Sequence, residues 1–136
     1  MKVAAVCSIG PELELASARL FNEDPLFAMA LDGLGNALVD DLARQVCGKI
    51  ATEVESEGLN ASAPLSPGVP EWPVEIGQPQ IFALLDPSKA GITLTTGGMM
   101  RPKKSMSLIV GIGQEMAQTS MCSVCSLKET CRYGNA

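Results

Sequence analysis

The sequence contains no histidine among its 136 residues. Because imidazole is the usual general base for serine and cysteine nucleophiles, serine–histidine and cysteine–histidine catalysis are excluded. Imidazole is also the commonest metal ligand, so any metal site must use thiolates or carboxylates. Aromatic residues make up only 4% of the chain, which disfavours a surface that stacks single-stranded nucleobases.

The chain also lacks a positive net charge and a long apolar run. Fifteen acidic side chains stand against ten basic ones, for a net charge of -5, so no overall positive field attracts a polyanion and nucleic acid is not an expected partner. Asp32 interrupts the best apolar run, between residues 26 and 39, below the length of a membrane span. The N-terminal apolar run is too short for a signal peptide. We therefore predict a cytoplasmic protein with no membrane partner.

The length and the hydrophobic content of 46% fit one ordinary core. Five cysteines are present, and three of them fall in the last fifteen residues, which is not the spread of a secreted disulfide scaffold. We predict a domain over residues 1–116 and a cysteine-rich C-terminal tail over residues 117–136.

A long helix is the clearest local prediction. Asp24 followed by Pro25 is a favourable start, and Gly58 supplies a stop, so the helix should run from about residue 25 to 57. Gly33 and Gly35 inside it predict the close approach of another backbone. Large apolar residues recur every three or four positions and predict the buried stripe, which comprises Leu31, Leu34, Leu38, Leu42, Val46, Ile50 and Val54.

The remaining elements are shorter. Residues 2–8 predict a strand. A turn at residues 9–11 then leads into a helix that has Glu12 and Glu14 in its first turn. Five prolines and Gly68 between residues 60 and 79 predict a stiff loop without a helix or a central strand. Residues 80–85 predict a short helix, and residues 92–96 and 105–112 predict strands. The order of elements predicts an α+β fold, with the long N-terminal helix packed on a mainly antiparallel sheet.

Three stretches occur in the order and spacing of a known family: SPGVPEWP at residues 66–73, IFALLD at 81–86 and GITLTTGGMMRPKKSMS at 91–107. The segments CSIGPELE at 7–14 and ALDGLGNAL at 30–38 extend the likeness over nearly the whole chain. The sequence thus resembles the reactivation domain of cobalamin-dependent methionine synthase, in its short stand-alone form. The resemblance implies a domain that binds S-adenosylmethionine and docks over the corrinoid of its partner, where oxidised cob(II)alamin is reduced and remethylated.

The chain departs from the family at Thr96, where its members have a glutamate, and at two positions that hold S-adenosylmethionine. The family's members hold S-adenosylmethionine with an arginine and a tyrosine, where this chain has Pro64 and Val69, and proline offers no donor to a carboxylate. Beside the glycines at 97 and 98, the basic turn at 101–104 is a candidate for an anionic group or, alternatively, a solvated strand entry. The candidate cofactor-binding residues are Pro67, Gly68, Val69, Gly97, Gly98 and Lys103.

The tail places Cys122, Cys125 and Cys131 in a C-x2-C-x5-C pattern. Closely spaced thiolates suit an iron–sulfur cluster or zinc, but each normally takes four protein ligands. The fourth ligand would be Cys7, Cys47, a carboxylate or a residue of another chain. In the alternative interpretation the tail thiols are free or two of them are joined, and Cys47 is a small core residue.

These observations leave three functions open. The first is an accessory or reactivation partner of a corrinoid protein that relays electrons through a metal cluster. The second is a metal-capped adapter that does not bind S-adenosylmethionine. The third is one subunit of a split methionine synthase, a cobalamin-dependent methyltransferase in which other chains catalyse methyl transfer.

Overall fold

The computed structural model describes residues 1–116 and 129–131. A long helix packs on an antiparallel sheet, which confirms the predicted α+β class. In chain order the elements are β1 (Lys2–Ser8), α1 (Glu12–Leu20), α2 (Pro25–Ser56), β2 (Asn60–Ala61), α3 (Val74–Leu84), a 3-10 turn (Pro87–Ala90), β3 (Thr93–Leu94), β4 (Met100–Arg101) and β5 (Ser105–Gly113).

The main sheet is built around β5, which lies between β1 and β2 and is antiparallel to both. The sequence of β5, SMSLIVGIG, is rich in residues that pack well on a pleated surface. Its register with β1 runs from Lys2 opposite Gly111 to Ser8 opposite Ser105. Strands β3 and β4 form a separate two-stranded hairpin.

The two faces of β5 are covered by different helices. Leu108 and Val110 point to α2 and form a buried cluster with Ala43. Ser107 has the opposite parity along the strand, and its hydroxyl donates to the Gln78 side chain of α3 at 2.9 Å in a buried hydrogen bond. Because successive side chains of a strand point to opposite faces, α2 and α3 lie on opposite sides of the sheet.

Helix α2 begins and ends as its capping residues predict. The Asp24 side chain accepts a hydrogen bond from the backbone N–H of Phe27 at 3.0 Å, and Pro25 takes the first helical position. At the other end, Gly58 has φ +74° and donates its N–H to the Glu55 carbonyl at 3.0 Å. Among the described residues, no helix is both long enough and apolar enough to cross a membrane.

The prediction of which α2 residues are buried was wrong in its first half. Leu34 and Leu38 are 49% and 44% exposed. The helix instead turns a line of mostly small side chains to the interior, because small residues permit a closer approach to the layer beneath. The buried residues of α2 are Ala28, Gly35, Val39, Ala43 and Val54.

The prediction that prolines exclude a helix before residue 80 was also wrong. Helix α3 starts at Val74, directly after Pro73, and contains Pro79. Pro79 lacks the N–H that would donate to the Glu75 carbonyl, which removes one hydrogen bond from the ladder. The complete burial of Ile81 in the next turn offsets that loss, since burying such a side chain contributes about 1.5–3 kcal/mol.

Candidate functional site

The Pro-Gly turn at Pro67 and Gly68 is held closed by its own backbone. Gly68 donates its N–H to the Trp72 carbonyl at 2.9 Å, and Trp72 donates its N–H to the Val69 carbonyl at 2.9 Å. Gly68 has φ +118°, a region that side chains with a Cβ rarely adopt. A glycine is therefore required at the corner of this turn.

Trp72 fixes the turn to helix α3. Its indole Nε1 donates to Gln80 Oε1 at 2.8 Å. The ring also lies against Gly77, where an added Cβ would stand 2.8 Å from Trp72 Cε2 and 2.7 Å from Pro67 Cβ. The indole thus fills the space that Gly77 leaves open, and it anchors the turn.

Val74 brings two distant stretches of the sequence together. One of its methyl groups, Cγ2, lies 3.5 Å from the Cβ position of Gly68, and the other, Cγ1, lies 3.5 Å from that of Gly98. Gly98 is buried, with φ +78°, in the loop that joins β3 to β4, whereas Gly97 is exposed. The Pro-Gly turn and the tip of the β3–β4 hairpin consequently form one surface around Val74.

A cavity of about 320 Å³ opens beside the Pro-Gly turn. Its volume is at the lower end of the range of small-molecule sites. Apolar side chains and one carboxylate line it, and none of the described lining residues is basic. Such a lining suits an apolar or cationic group rather than a carboxylate. The lining residues are Leu65, Val69, Glu71 and Trp72.

The basic turn is divided by its contacts. Lys103 is exposed, and its backbone N–H donates to Glu14 Oε2 of α1 at 2.9 Å. Lys104 turns inward, so its ammonium group is not displayed with that of Lys103. The two lysines of the basic turn therefore do not present their ammonium groups to one anion: Lys103 is on the surface and Lys104 is buried.

The sequence did not predict where the ammonium group of Lys104 lies. Its Nζ is 2.7 Å from Asp32 Oδ1 and 2.6 Å from Asn36 Oδ1, both on α2. The Lys104 stem crosses Gly35, where an added Cβ would be 3.1 Å from Cε. The close approach predicted at Gly35 is therefore made by a side chain, not by a backbone. The sequence pattern D-x-x-G-N could have indicated this contact. It places Gly35, which leaves room for a side chain, between two hydrogen-bond acceptors, Asp32 and Asn36.

The predicted metal ligands are only partly within the described chain. Cys131 is exposed, while Cys122 and Cys125 lie outside the described residues. Over residues 1–116 and 129–131, no group of three or more potential metal-ligating side chains occurs. The metal site in the tail stays a prediction.

Cys7 and Cys47 pack against the core cluster between β1 and α2. Burial raises the pKa of both thiols, and for Cys7 the nearby Cys47 adds to the effect, while a backbone hydrogen bond at Met106 opposes it. The raised pKa values keep both thiols protonated and poorly nucleophilic. This position agrees with a structural role for Cys47.

We expect iodoacetamide at pH 8 to modify Cys7 and Cys47 at least about tenfold more slowly than the exposed Cys131, because only thiolates react. Peptide mass spectrometry of the reduced protein measures each rate, and the urea-unfolded chain is the control in which the rates converge. Equal modification rates in the folded protein would contradict the burial of these thiols.

The raised pKa values of Cys7 and Cys47 in the folded state also predict a dependence of stability on pH. The free energy of unfolding should fall as the pH rises above the usual thiol pKa, because the unfolded chain loses these protons first.

The candidate site thus consists of the Pro-Gly turn, the Gly98 corner and the cavity between Val69 and Trp72. Pro67, Gly68 and Gly98 meet around Val74 and Gly77, and Val69 lines the cavity. Lys103 belongs to a different contact, with Glu14. No protein-family model matches the chain, and no curated protein matches it.

Proposed function

We propose that this protein is an accessory or reactivation partner of a corrinoid protein. The observation that carries the proposal is the meeting of the Pro-Gly turn and the β3–β4 hairpin around Val74. These two stretches are also the ones that resemble the reactivation domain of methionine synthase. Gly68 and Gly98 are 30 positions apart in the chain, and their contacts with Val74 bring them into one surface. Recognition of a single ligand or partner requires such a surface beside a cavity.

The residues of the cavity favour one half of S-adenosylmethionine over the other. Glu71 and the Trp72 indole suit a cationic sulfonium group. The carboxylate of the ligand has no guanidinium to pair with, because Pro64 occupies the position of the family's arginine. We therefore propose docking on the corrinoid partner as the main role, with binding of S-adenosylmethionine in the family's manner disfavoured.

Electron transfer to the corrinoid would be the task of the tail. When bound, an iron–sulfur cluster would supply low-potential electrons, and Cys122, Cys125 and Cys131 would be three of its ligands. The adapter without S-adenosylmethionine binding and the subunit of a split methionine synthase remain the alternative proposals. Both use the same docking surface: the adapter lacks the redox step, whereas the subunit of a split enzyme supplies the reactivation step to chains that catalyse methyl transfer.

Calorimetric titration with cob(II)alamin and, separately, with S-adenosylmethionine tests the proposal on protein prepared without oxygen. We expect cob(II)alamin to bind and Val69→Glu to weaken that binding by about tenfold or more, because a carboxylate would enter an apolar wall. Leu84→Glu is the matched control, since Leu84 is 56% exposed at the end of α3. Failure of cob(II)alamin to bind, or equal weakening of its binding by both variants, would count against this site.

Metal analysis of the same preparation separates the electron relay from the adapter. Iron and sulfide that are lost together in Cys122→Ser would support the relay. Zinc that is lost in that variant would support the metal-capped adapter. Protein free of metal would exclude the electron relay. The docking role would then be tested by the calorimetric titration with cob(II)alamin alone.

A further inference from the structure

A groove with a volume of about 410 Å³ lies between α1 and the first half of α2. The two helices that form it are joined directly, because the Ser17 hydroxyl of α1 donates to the Ala28 carbonyl of α2 at 2.8 Å. The packing of the two helices therefore fixes the position of the groove. Its described lining residues are Ser17, Phe21, Met29, Asp32 and Gly33.

The large side chains of this groove are apolar and open to solvent. Phe21 is 57% exposed and Met29 is 66% exposed. Leu26, which is 80% exposed, shares one side of α2 with Met29 and Gly33, because helical residues three or four positions apart are neighbours. The apolar lining thus continues from the groove onto the surface of α2. Extended exposed apolar patches mark interaction surfaces, and this one is longer than a small ligand would cover.

Gly33 leaves a gap in the groove. Over the described residues, no atom outside the nearby helix backbone comes within 4 Å of its Cβ position. Gly33 is also absent from the glycines with positive φ, so its backbone conformation does not require a glycine. Since glycine destabilises a helix interior relative to alanine, neither packing nor conformation within this part of the chain accounts for it. A side chain of another molecule can enter the gap.

The negative charge of the protein is concentrated in these two helices. Residues 12–56 carry nine acidic and three basic side chains, whereas the rest of the chain carries six acidic and seven basic ones. The Lys104 ammonium group compensates one of the nine, that of Asp32. Between Arg19 and Arg44 the sequence has five carboxylates and no lysine or arginine. Charge complementarity therefore favours a partner with lysine or arginine side chains, and it opposes a second copy of this acidic layer.

Carboxylates flank the apolar centre of the groove along α2. Asp40 lies seven residues beyond Gly33 on the same side of the helix, about 10 Å away along its axis. Its contact with Arg44, at 3.3 Å, is an exposed pair, which is weak and easily exchanged. At the other end, Glu23 is exposed just before α2 begins. Asp32 lines the groove itself, and 54% of its side chain stays exposed beside Lys104.

We propose that this groove binds a helical segment of another protein, in which lysine or arginine residues flank a large apolar side chain. The apolar side chain enters the gap at Gly33, between Phe21 and Met29, and the cations meet Asp40 and Glu23. An amphipathic helix in an apolar groove is a common mode of peptide recognition. The inference does not rest on the proposed function, because it uses α1, α2 and the turn between them rather than the Pro-Gly turn.

Selection from a displayed library of amphipathic helices tests the class of partner, with the full chain in reductant as the target. Each peptide has about 18 residues, which span about 27 Å. Its apolar stripe is constant in position, and its flanking positions vary among lysine, arginine, glutamine and glutamate. We expect lysine and arginine to be enriched at the flanking positions. A selection without binders, or binders with glutamine or glutamate at those positions, would overturn the proposal.

Fluorescence anisotropy with the most enriched peptide tests the location. Gly33→Gln should raise the dissociation constant by about tenfold or more, because a polar side chain then fills the gap. Gly48→Gln is the matched control, since it makes the same change in α2 outside the groove, and it should change the constant by less than about twofold. Circular dichroism should show both variants folded, because glutamine is a better helix former than glycine.

Charge reversal provides a second pair of variants. Glu23→Lys should weaken peptide binding severalfold, whereas Glu53→Lys, which changes the net charge equally at an exposed residue near the other end of α2, should not. Equal effects within either pair of variants would overturn the proposed location. Sedimentation velocity of the chain alone should show a monomer. A dimer that Gly33→Gln dissociates would assign the groove to a second copy and would likewise overturn the proposal.

Discussion

We expect Gly77→Ala to lower the free energy of unfolding by about 1–3 kcal/mol, because an added methyl group overpacks a closed contact. Its Cβ would stand 2.7 Å from Pro67 Cβ and 2.8 Å from Trp72 Cε2. Neither neighbour can retreat cheaply. Pro67 belongs to a turn closed by backbone hydrogen bonds, and the indole is tied to Gln80. The indole must move outward, and the cavity that it lines must change shape.

Urea unfolding followed by fluorescence measures both consequences, because Trp72 is the only tryptophan in the chain. We expect the folded emission of Gly77→Ala to shift towards that of a solvent-exposed indole. Gly48→Ala is the matched control: Gly48 also lies inside a helix, and in the described part of the chain nothing outside the local helix backbone is within 4 Å of its Cβ position. There the same change should stabilise the protein by up to about 1 kcal/mol. Equal effects on stability at the two glycines would contradict the close packing of the Trp72 indole against Gly77 of α3.

The contact between Lys104 and α2 should respond unequally to removal of its two charges. Asp32→Ala should lower the free energy of unfolding by about 2 kcal/mol, because it removes a charge-assisted hydrogen bond from an ammonium group whose side chain is only 9% exposed. Lys104→Met should cost less than about 1 kcal/mol. Methionine keeps the contact of the stem with Gly35, and Asp32, 54% exposed, returns to water without its partner.

The double variant with Asp32→Ala and Lys104→Met completes the comparison. Its stability should match that of Lys104→Met alone, since the carboxylate has no charge left to compensate. Urea unfolding at neutral pH measures all four proteins. A larger loss for Lys104→Met than for Asp32→Ala would show that the ion pair itself, rather than the burial of an unpaired charge, stabilises this junction.

The Trp72–Gly77 contact and the Lys104–α2 contact should affect the proposed binding of cob(II)alamin differently. The clamp of Trp72 on Gly77 shapes the cavity, so Gly77→Ala should weaken cob(II)alamin binding together with stability. The Lys104 contact lies between α2 and the segment before β5, and its removal should leave the cavity intact. If Gly77→Ala weakens cob(II)alamin binding and Lys104→Met does not, the docking surface is at the Pro-Gly turn.

Local sequence signals determined much of the scaffold. The bounds of α2 followed from Asp24, Pro25 and Gly58, because capping groups and a left-handed glycine act on the nearest backbone. Strand β1 and the core of β5 followed from runs of β-branched and apolar residues. The order of these elements gave the α+β class. Each of these signals operates within a few residues, and that is why the sequence alone sufficed.

Only the tertiary structure decided which faces are covered and which residues meet. Leu34 and Leu38 match the helical period but lie outside, because Gly35 makes room for the Lys104 stem, and Lys104 is 68 positions from Asn36 in the chain. Val74 joins Gly68 to Gly98 for a comparable reason: the contact depends on how α3 docks on the sheet. Periodicity reports that a helix has an apolar side, whereas the partner for that side is fixed by packing between distant segments. The sequence by itself thus determined the elements and their ends, and packing determined the site.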